Sequence, residues 1–400
     1  MLTLSKKAQS MPYSPIRKLI PLSDETAKKG IKIYRLNMGQ PDVDSPKVAL
    51  DAVRENNLTI LSYPNSLGEL ELREGMVEYY RKIGINVDKS CINVTHGGSE
   101  ALQIAISAIC DPDDEIIVFE PFYTNYNTFS IQFDAKLVPV TTSIENGFAL
   151  PPMSEVEKVI TPKTKAILIC NPANPTGKLY SKQDVLDLCS IAKKHDIFII
   201  ADEVYREFCY TDEPHFSFMQ VPDMDDNIIL IDSVSKRYSM CGARVGFIVS
   251  RNKELMPVVL KYAQARLCCA KLGQIAAIAA LKTPQEYFDN VKAEYLRRRQ
   301  ILVDGLNKIE GIVCPMPLGA FYAAVQLPVD DAEKFCRWLL TEFNYENQTV
   351  MFAPMAGFYV TPGMGKNQAR FAYVLKEEDL KAALVVLEKA LKAYPGRTIK

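Results

Sequence analysis

Chemistry in this chain gathers at the ends of five short apolar runs. After INVT (92–95) come His96-Gly97-Gly98-Ser99-Glu100, leading into a helical pattern. Two glycines there let the backbone approach an anion closely, and the free N–H groups of a helix start favour negative charge. EIIVFE (115–120) is followed by Pro121-Phe122-Tyr123-Thr124-Asn125-Tyr126, and KAILIC (165–170) by Asn171-Pro172-Ala173-Asn174-Pro175-Thr176-Gly177, a turn stiffened by two prolines. DIFIIAD (196–202) ends on Asp202, with Glu203 and Tyr205 beyond it. NIILIDS (227–233) ends on Ser233 and runs into Val234, Ser235 and Lys236, with Arg244 eight residues further on. Each group alone could be loop decoration. If all five runs are strands of one parallel sheet, their ends share one mouth, because ligands bind beyond the carboxyl ends of such strands. The mouth then holds an anion site, an aromatic lid, an acid and a lysine.

The elements that must position these residues are legible as well. Runs apolar on both faces, separated by helical stretches such as 182–195 and closed by RVGFIVS (244–250), call for a mostly parallel sheet with helices on both faces. That is an α/β core. A long helical stretch over 286–309 leads to a mixture of short strands near 311–314, 320–325 and 369–374, with helices near 331–343 and 377–393. This predicts a smaller α+β domain over 286–400, joined by an N-terminal arm up to residue 45, with the large domain over 46–285.

Composition narrows the classes further. The 400 residues carry 47 basic and 48 acidic side chains, so no global charge attracts nucleic acid or an anionic membrane. Ten cysteines are scattered without a C-x-x-C pair, as expected of reduced thiols in the cytoplasm. With only His96, His195 and His215, no zinc-type cluster can be assembled by spacing. The first residues lack the apolar core of a secretory signal, and no apolar run reaches the roughly 20 residues of a membrane helix. The Gly97-Gly98 turn lacks the Rossmann spacing, and GMGKN (363–367) lacks the Walker spacing and its Ser/Thr.

The same residues carry a family resemblance. NPANPTG (171–177), the D-x-x-Y of Asp202 and Tyr205, the S-x-S-K of Ser233–Lys236, Arg244 before V-G and a late Arg370 in QARFAYV stand in the order of the class I/II aminotransferases. LNMGQPD (36–42) and YPNSLGELELR (63–73) resemble that family's opening motifs, so the likeness spans nearly the whole chain. It implies the aspartate aminotransferase-like fold, type I among pyridoxal-phosphate (PLP) enzymes, and an amino group moved between an amino acid and a 2-oxo acid. Lys236 then holds PLP as a Schiff base and, once displaced, serves as general base. Asp202 matches the partner of the pyridinium nitrogen, Asn174 and Tyr205 the ligands of the ring oxygen, and Tyr123 the ring that stacks on the pyridine. Gly98, Ser99, Ser233 and Arg244 match the phosphate ligands. Tyr63 resembles the tyrosine that reaches the phosphate from a neighbouring subunit, which implies a homodimer with shared sites. Arg370 matches the arginine for the substrate's α-carboxylate, with the Gly39 N–H and Asn174 beside it.

Two features depart from the common pattern. The TPGMGKNQAR loop is short, so closure over the substrate is expected to differ. Arg266 falls where dicarboxylate-specific members carry an arginine for the distal carboxylate, donated by the partner subunit, which points to aspartate; an ordinary helix-surface arginine fits the position equally. The resemblance leaves open an aminotransferase for alanine or aromatic amino acids, or a lyase, decarboxylase or synthase built on the same PLP residues.

Overall fold

Ile, Val and Leu dominate the central strands because those strands are buried on both faces. Of EIIVFE every residue but the first is buried, and IILIDS is buried throughout. The computed structural model describes residues 2–399. Its twelve strands are β1 (Lys32–Arg35), β2 (Ile92–Thr95), β3 (Glu115–Glu120), β4 (Lys136–Thr141), β5 (Thr164–Cys170), β6 (Phe198–Asp202), β7 (Ile228–Ser233), β8 (Gly246–Val249), β9 (Tyr322–Gln326), β10 (Gln348–Met351), β11 (Ala353–Pro354) and β12 (Gln368–Ala372).

Seven of them form the main sheet in the order β2-β8-β7-β6-β5-β3-β4. Neighbours from β7 to β4 run parallel, and β8 runs antiparallel to both β2 and β7. The carboxyl ends of β3, β5, β6 and β7 therefore point to one side, as the alternation of strand and helix requires. Apolar cores lie on both faces, one around Ile116, Leu168, Ile200 and Ile231, the other around Ile117, Ile167, Ile199 and Leu230. The alternating side chains of one strand thus feed two layers.

Helix ends are set locally. The helix Lys182–Lys194 starts at a capping box, with Ser181 Oγ accepting from the Asp184 N–H and Asp184 Oδ2 accepting from the Ser181 N–H. Asp331 caps Ala332–Thr341 by accepting from the N–H groups of Glu333 and Lys334. The helix Gln285–Asn307 starts directly after Pro284 and runs from the main sheet to the second unit. There β9, β12 and β11 form an antiparallel sheet, and β1 from the N-terminal segment pairs parallel with β10.

The two units are stitched at β3. The Glu120 carboxylate, fully buried, accepts hydrogen bonds from Thr141 Oγ1 and from the N–H groups of Val360 and Thr361. Phe122 N–H donates to Phe358 O at 3.0 Å beside it. The expected strand at 311–314 is only an isolated bridge between Val313 and Gln326. The strand expected from 244 begins at Gly246, because Arg244 sits in the left-handed region at φ 53°. Among the described residues no helix is long and apolar enough to cross a membrane.

Candidate active site

A cavity of about 570 Å³ opens where the main sheet meets the second unit. Its charged lining consists of Asp202, Lys236, Arg244, Arg370 and Arg17.

One end is an anion cradle. The helix Gly97–Ile109 points its N-terminus there, with Gly98 and Ser99 lining the wall. Glycine is a steric necessity at Gly246, against backbone, and is favoured at Gly97 by its φ of 74°. A Cβ on Gly97 would lie 2.4 Å from Arg244 Nη2, and one on Gly246 would lie 2.4 Å from the Gly97 carbonyl carbon and 2.6 Å from Gly98 N. Arg244 is held by the carbonyls of Cys241 and His96 at 3.0 and 3.1 Å. Ser233 Oγ donates to Ser235 Oγ or to the Val245 carbonyl, and accepts from the Ser235 N–H as it caps the short helix Val234–Arg237. A helix start, hydroxyls and a permanent cation together suit a phosphate dianion.

The cavity floor carries a lone acid. Asp202 ends β6, only 4% exposed, and its carboxylate accepts from Tyr126 Oη at 2.7 Å. Burial pushes its carboxyl up to about 6, although the Tyr126 hydrogen bond pulls the other way. No cation among the described residues forms an ion pair with it. Lys236 faces it from the helix after β7; its amine donates to Gly39 O at 2.8 Å and lies 3.7 Å from Cys241 Sγ. Tyr123 forms part of the wall, edge-on to Tyr126.

At the far end Arg370, at 1% exposure, donates to Asn174 Oδ1 at 2.9 Å and to Asn37 O at 2.6 Å. Its Nε is buried without a partner, and burial lowers the pKa of the guanidinium. A carboxylate ligand would satisfy that donor. Tyr322 binds the halves together: its ring lies under Arg370 at 4.4 Å, and its hydroxyl is 2.9 Å from Tyr205 Oη. A Cβ on Gly39 would sit 1.8 Å from that hydroxyl, so only glycine fits there.

Beneath the mouth lies a buried ion network. Arg237 clasps both oxygens of Asp232 at 2.7 Å, Tyr80 Oη donates to the same carboxylate, and Arg206 bridges Asp232 and Glu203. Asp232 precedes Ser233, Glu203 follows Asp202, and Arg237 follows Lys236. The network thus anchors the backbone next to three residues of the cavity.

The structure brings Lys236, Asp202, Tyr205, Gly98, Ser99, Tyr123, Asn174, Ser233, Arg244, Gly39 and Arg370 to one cavity. Two expected residues stand apart. Tyr63 is 81% exposed on the outer surface. Arg266 lies outside this cavity: its guanidinium donates to Val94 O at 2.7 Å and Ser66 O at 3.2 Å, touches Cys269 Sγ, and faces Glu100 at 3.5 Å. The short 361–367 loop folds against Tyr359, whose hydroxyl donates to Gln368. Tyr322, Tyr126 and Arg17 had no assigned role in the sequence reading. Tyr322 and Arg17 stand in no local motif, and only long-range packing brings them to the cavity.

Comparison with known proteins agrees with this geometry. The family model for aminotransferase class I and II matches residues 31–387. The aspartate aminotransferase of Thermotoga maritima is 33% identical over 97% of this chain and 99% of its own. The aromatic-amino-acid aminotransferase 2 of Thermococcus litoralis is 30% identical over 98% of this chain and 99% of its own. The solved alanine aminotransferase from Pyrococcus furiosus superposes with a TM-score of 0.90 at 32% identity, covering 98% of this chain and all of that one.

Proposed function

Since the chain belongs to the class I and II aminotransferases, we propose that this cavity moves an amino group between an L-amino acid, aspartate among the candidates, and a 2-oxo acid such as 2-oxoglutarate. The family is PLP-dependent, and the chain is a transaminase of that kind. The observation that carries the residue assignment is Asp202, a buried carboxylate without a cation, opposite an unpaired lysine and a phosphate-shaped cradle. A protonated pyridine nitrogen is the partner such a carboxylate lacks. These residues fit the cofactor.

When bound, PLP supplies a ring that draws electrons from the carbon bearing the amino group. The chain's own residues do the rest. Gly98, Ser99, Ser233, Ser235 and Arg244 would hold the phosphate, Asp202 the ring nitrogen, and Asn174 and Tyr205 the ring oxygen. Arg370 grips the substrate's α-carboxylate and so fixes the Cα–H bond in reach of Lys236. The Lys236 amine takes the proton from Cα as general base. Tyr123 would stack on the ring, and Tyr322 holds Tyr205 and Arg370 in place.

The division into 46–285 and 286–400 with 1–45 is consistent with the pairing of β1 with β10. An exposed apolar run, Leu58, Ile60, Leu61 and Tyr63, beside exposed Leu267, supports a homodimer in which Tyr63 reaches the other subunit's phosphate cradle. The ten cysteines are unpaired, which supports a reducing, cytoplasmic setting.

The test is a half-reaction. An amino acid added to the holoenzyme is expected to convert the cofactor's visible absorbance to that of its amine form, and 2-oxoglutarate or pyruvate to restore it. A panel of donors against both acceptors ranks substrates. Lys236→Ala is expected to lose both absorbance and turnover. Release of carbon dioxide or of an eliminated side chain, without amine transfer, would overturn the reading in favour of a decarboxylase or lyase.

A further inference from the structure

Of the four cations lining the cavity, three have tasks in the function proposed above, and the fourth, Arg17, has none. It sits in the turn before the helix Ile20–Lys28. Among the described residues nothing accepts a hydrogen bond from its guanidinium, although its backbone N–H is tied to Ser14 O at 3.0 Å. Neighbouring charges are spoken for: Lys18 pairs with Glu333 on the outer side, and Arg35 with Asp24. A free guanidinium at the rim of a cavity whose only carboxylate is Asp202 raises the local positive potential without neutralisation.

The turn is held in fixed relation to Arg370. Asn37, 1% exposed, donates its side-chain N–H to Ile16 O at 2.9 Å, and its own carbonyl accepts from Arg370 Nη2. Ile16 packs in the cluster of Phe358 and Tyr359, and Pro15 lies against Gly357 so closely that a Cβ there would meet it at 2.3 Å. Backbone and neighbours are therefore pinned while the Arg17 side chain stays free. Both arginines also act on one phenol: burial pushes Tyr123 up to about 12, and the charges of Arg17 and Arg370 oppose that rise. An α-carboxylate at Arg370 leaves the substrate's side chain in a cavity where Arg17 is the one cation still uncommitted.

We propose that Arg17 binds the side-chain carboxylate of dicarboxylic substrates. Discrimination between acidic and neutral amino acids then lies in this chain's own N-terminal segment. The inference rests on the transaminase reading. Arginine's planar fork matches a carboxylate in two parallel hydrogen bonds, and at a rim open to solvent such a pair is expected to contribute about tenfold in affinity.

The experiment uses the holoenzyme, with Arg17→Ala and Arg17→Lys. Two quantities are measured: kcat/KM for aspartate and glutamate against alanine and leucine, and calorimetric affinity for succinate against butyrate, which lack an amino group and cannot react. In Arg17→Ala the acidic-to-neutral ratio and the succinate-to-butyrate ratio are each expected to fall about tenfold, with partial recovery in Arg17→Lys. Unchanged ratios, or an equal fall for acidic and neutral ligands, would overturn the assignment. If no amino acid were transaminated at all, the transaminase reading would fail, while the succinate–butyrate comparison would still decide whether Arg17 reads the second carboxylate.

Discussion

Replacing Asp202 by Asn should stabilise the cofactor-free protein while weakening the holoenzyme, two effects of opposite sign from one charge. Burial shifts the Asp202 carboxyl from 3.8 in an unfolded chain to about 6 in the folded one. That rise corresponds to about 3 kcal/mol against the ionised, cofactor-free folded state at neutral pH. The folded value is the higher one, so between about pH 4 and about pH 6 the native state holds a proton that the unfolded state has released. Stability of the cofactor-free protein should therefore decline as pH rises through that window and level off above it. Asp202→Asn keeps an acceptor for Tyr126 and removes the charge. Urea unfolding of both cofactor-free proteins at matched concentration, from pH 4 to pH 8, should show this decline in the wild type and its loss in the variant. The variant should gain up to about 3 kcal/mol at pH 7. Adding PLP should then raise the wild-type melting temperature by more than that of the variant, because only the carboxylate has a pyridinium to pair with. Parallel pH profiles, or a variant less stable at pH 7 without cofactor, would refute the reasoning.

Two other substitutions probe the frame. Gly39→Ala would place a methyl group 1.8 Å from Tyr322 Oη and should displace that ring from between Tyr205 and Arg370. A fall in kcat/KM that Tyr322→Leu partly restores would be the sign of this clash, and a fully active Gly39→Ala enzyme would exclude it. Arg237→Ala removes two charge-assisted hydrogen bonds from the fully buried Asp232. Urea unfolding should register a loss of about 3 kcal/mol, the low end for a broken buried pair because Arg206 and Tyr80 remain; a loss below about 1 kcal/mol would mean that those two suffice.

The parts of the molecule legible in the sequence are those whose cause is local. β3 is matched residue for residue by EIIVFE, since a strand buried on both faces leaves an unbroken apolar run. The edge strand β4, Lys136–Thr141, leaves no such run, because only one of its six residues is buried and a proline stands inside it. β11 spans two residues and leaves no periodicity at all. The anion cradle could be read because glycines, a helix start and Arg244 stand in recognisable motifs. Tyr322 could not, because its contacts with Tyr205, Arg370 and Gly39 join distant segments. Arg266 and Arg17 make the same point from opposite sides. Neither carries a signal that says whether its guanidinium is tied to backbone carbonyls, as at Nη2 of Arg266, or makes no hydrogen bond among the described residues, as in Arg17.

Asn37 joins two events that would otherwise be separate. Its carbonyl takes a hydrogen bond from Arg370, and its amide holds the Ile16 carbonyl that anchors the rim turn. A carboxylate docking on Arg370 competes for the same guanidinium, so its binding free energy is linked to that of the turn, and reciprocally the order of the turn alters affinity at Arg370. Every amino acid and every 2-oxo acid carries that carboxylate, whatever its side chain. The segment that distinguishes substrates is thus tied to the one group they all share.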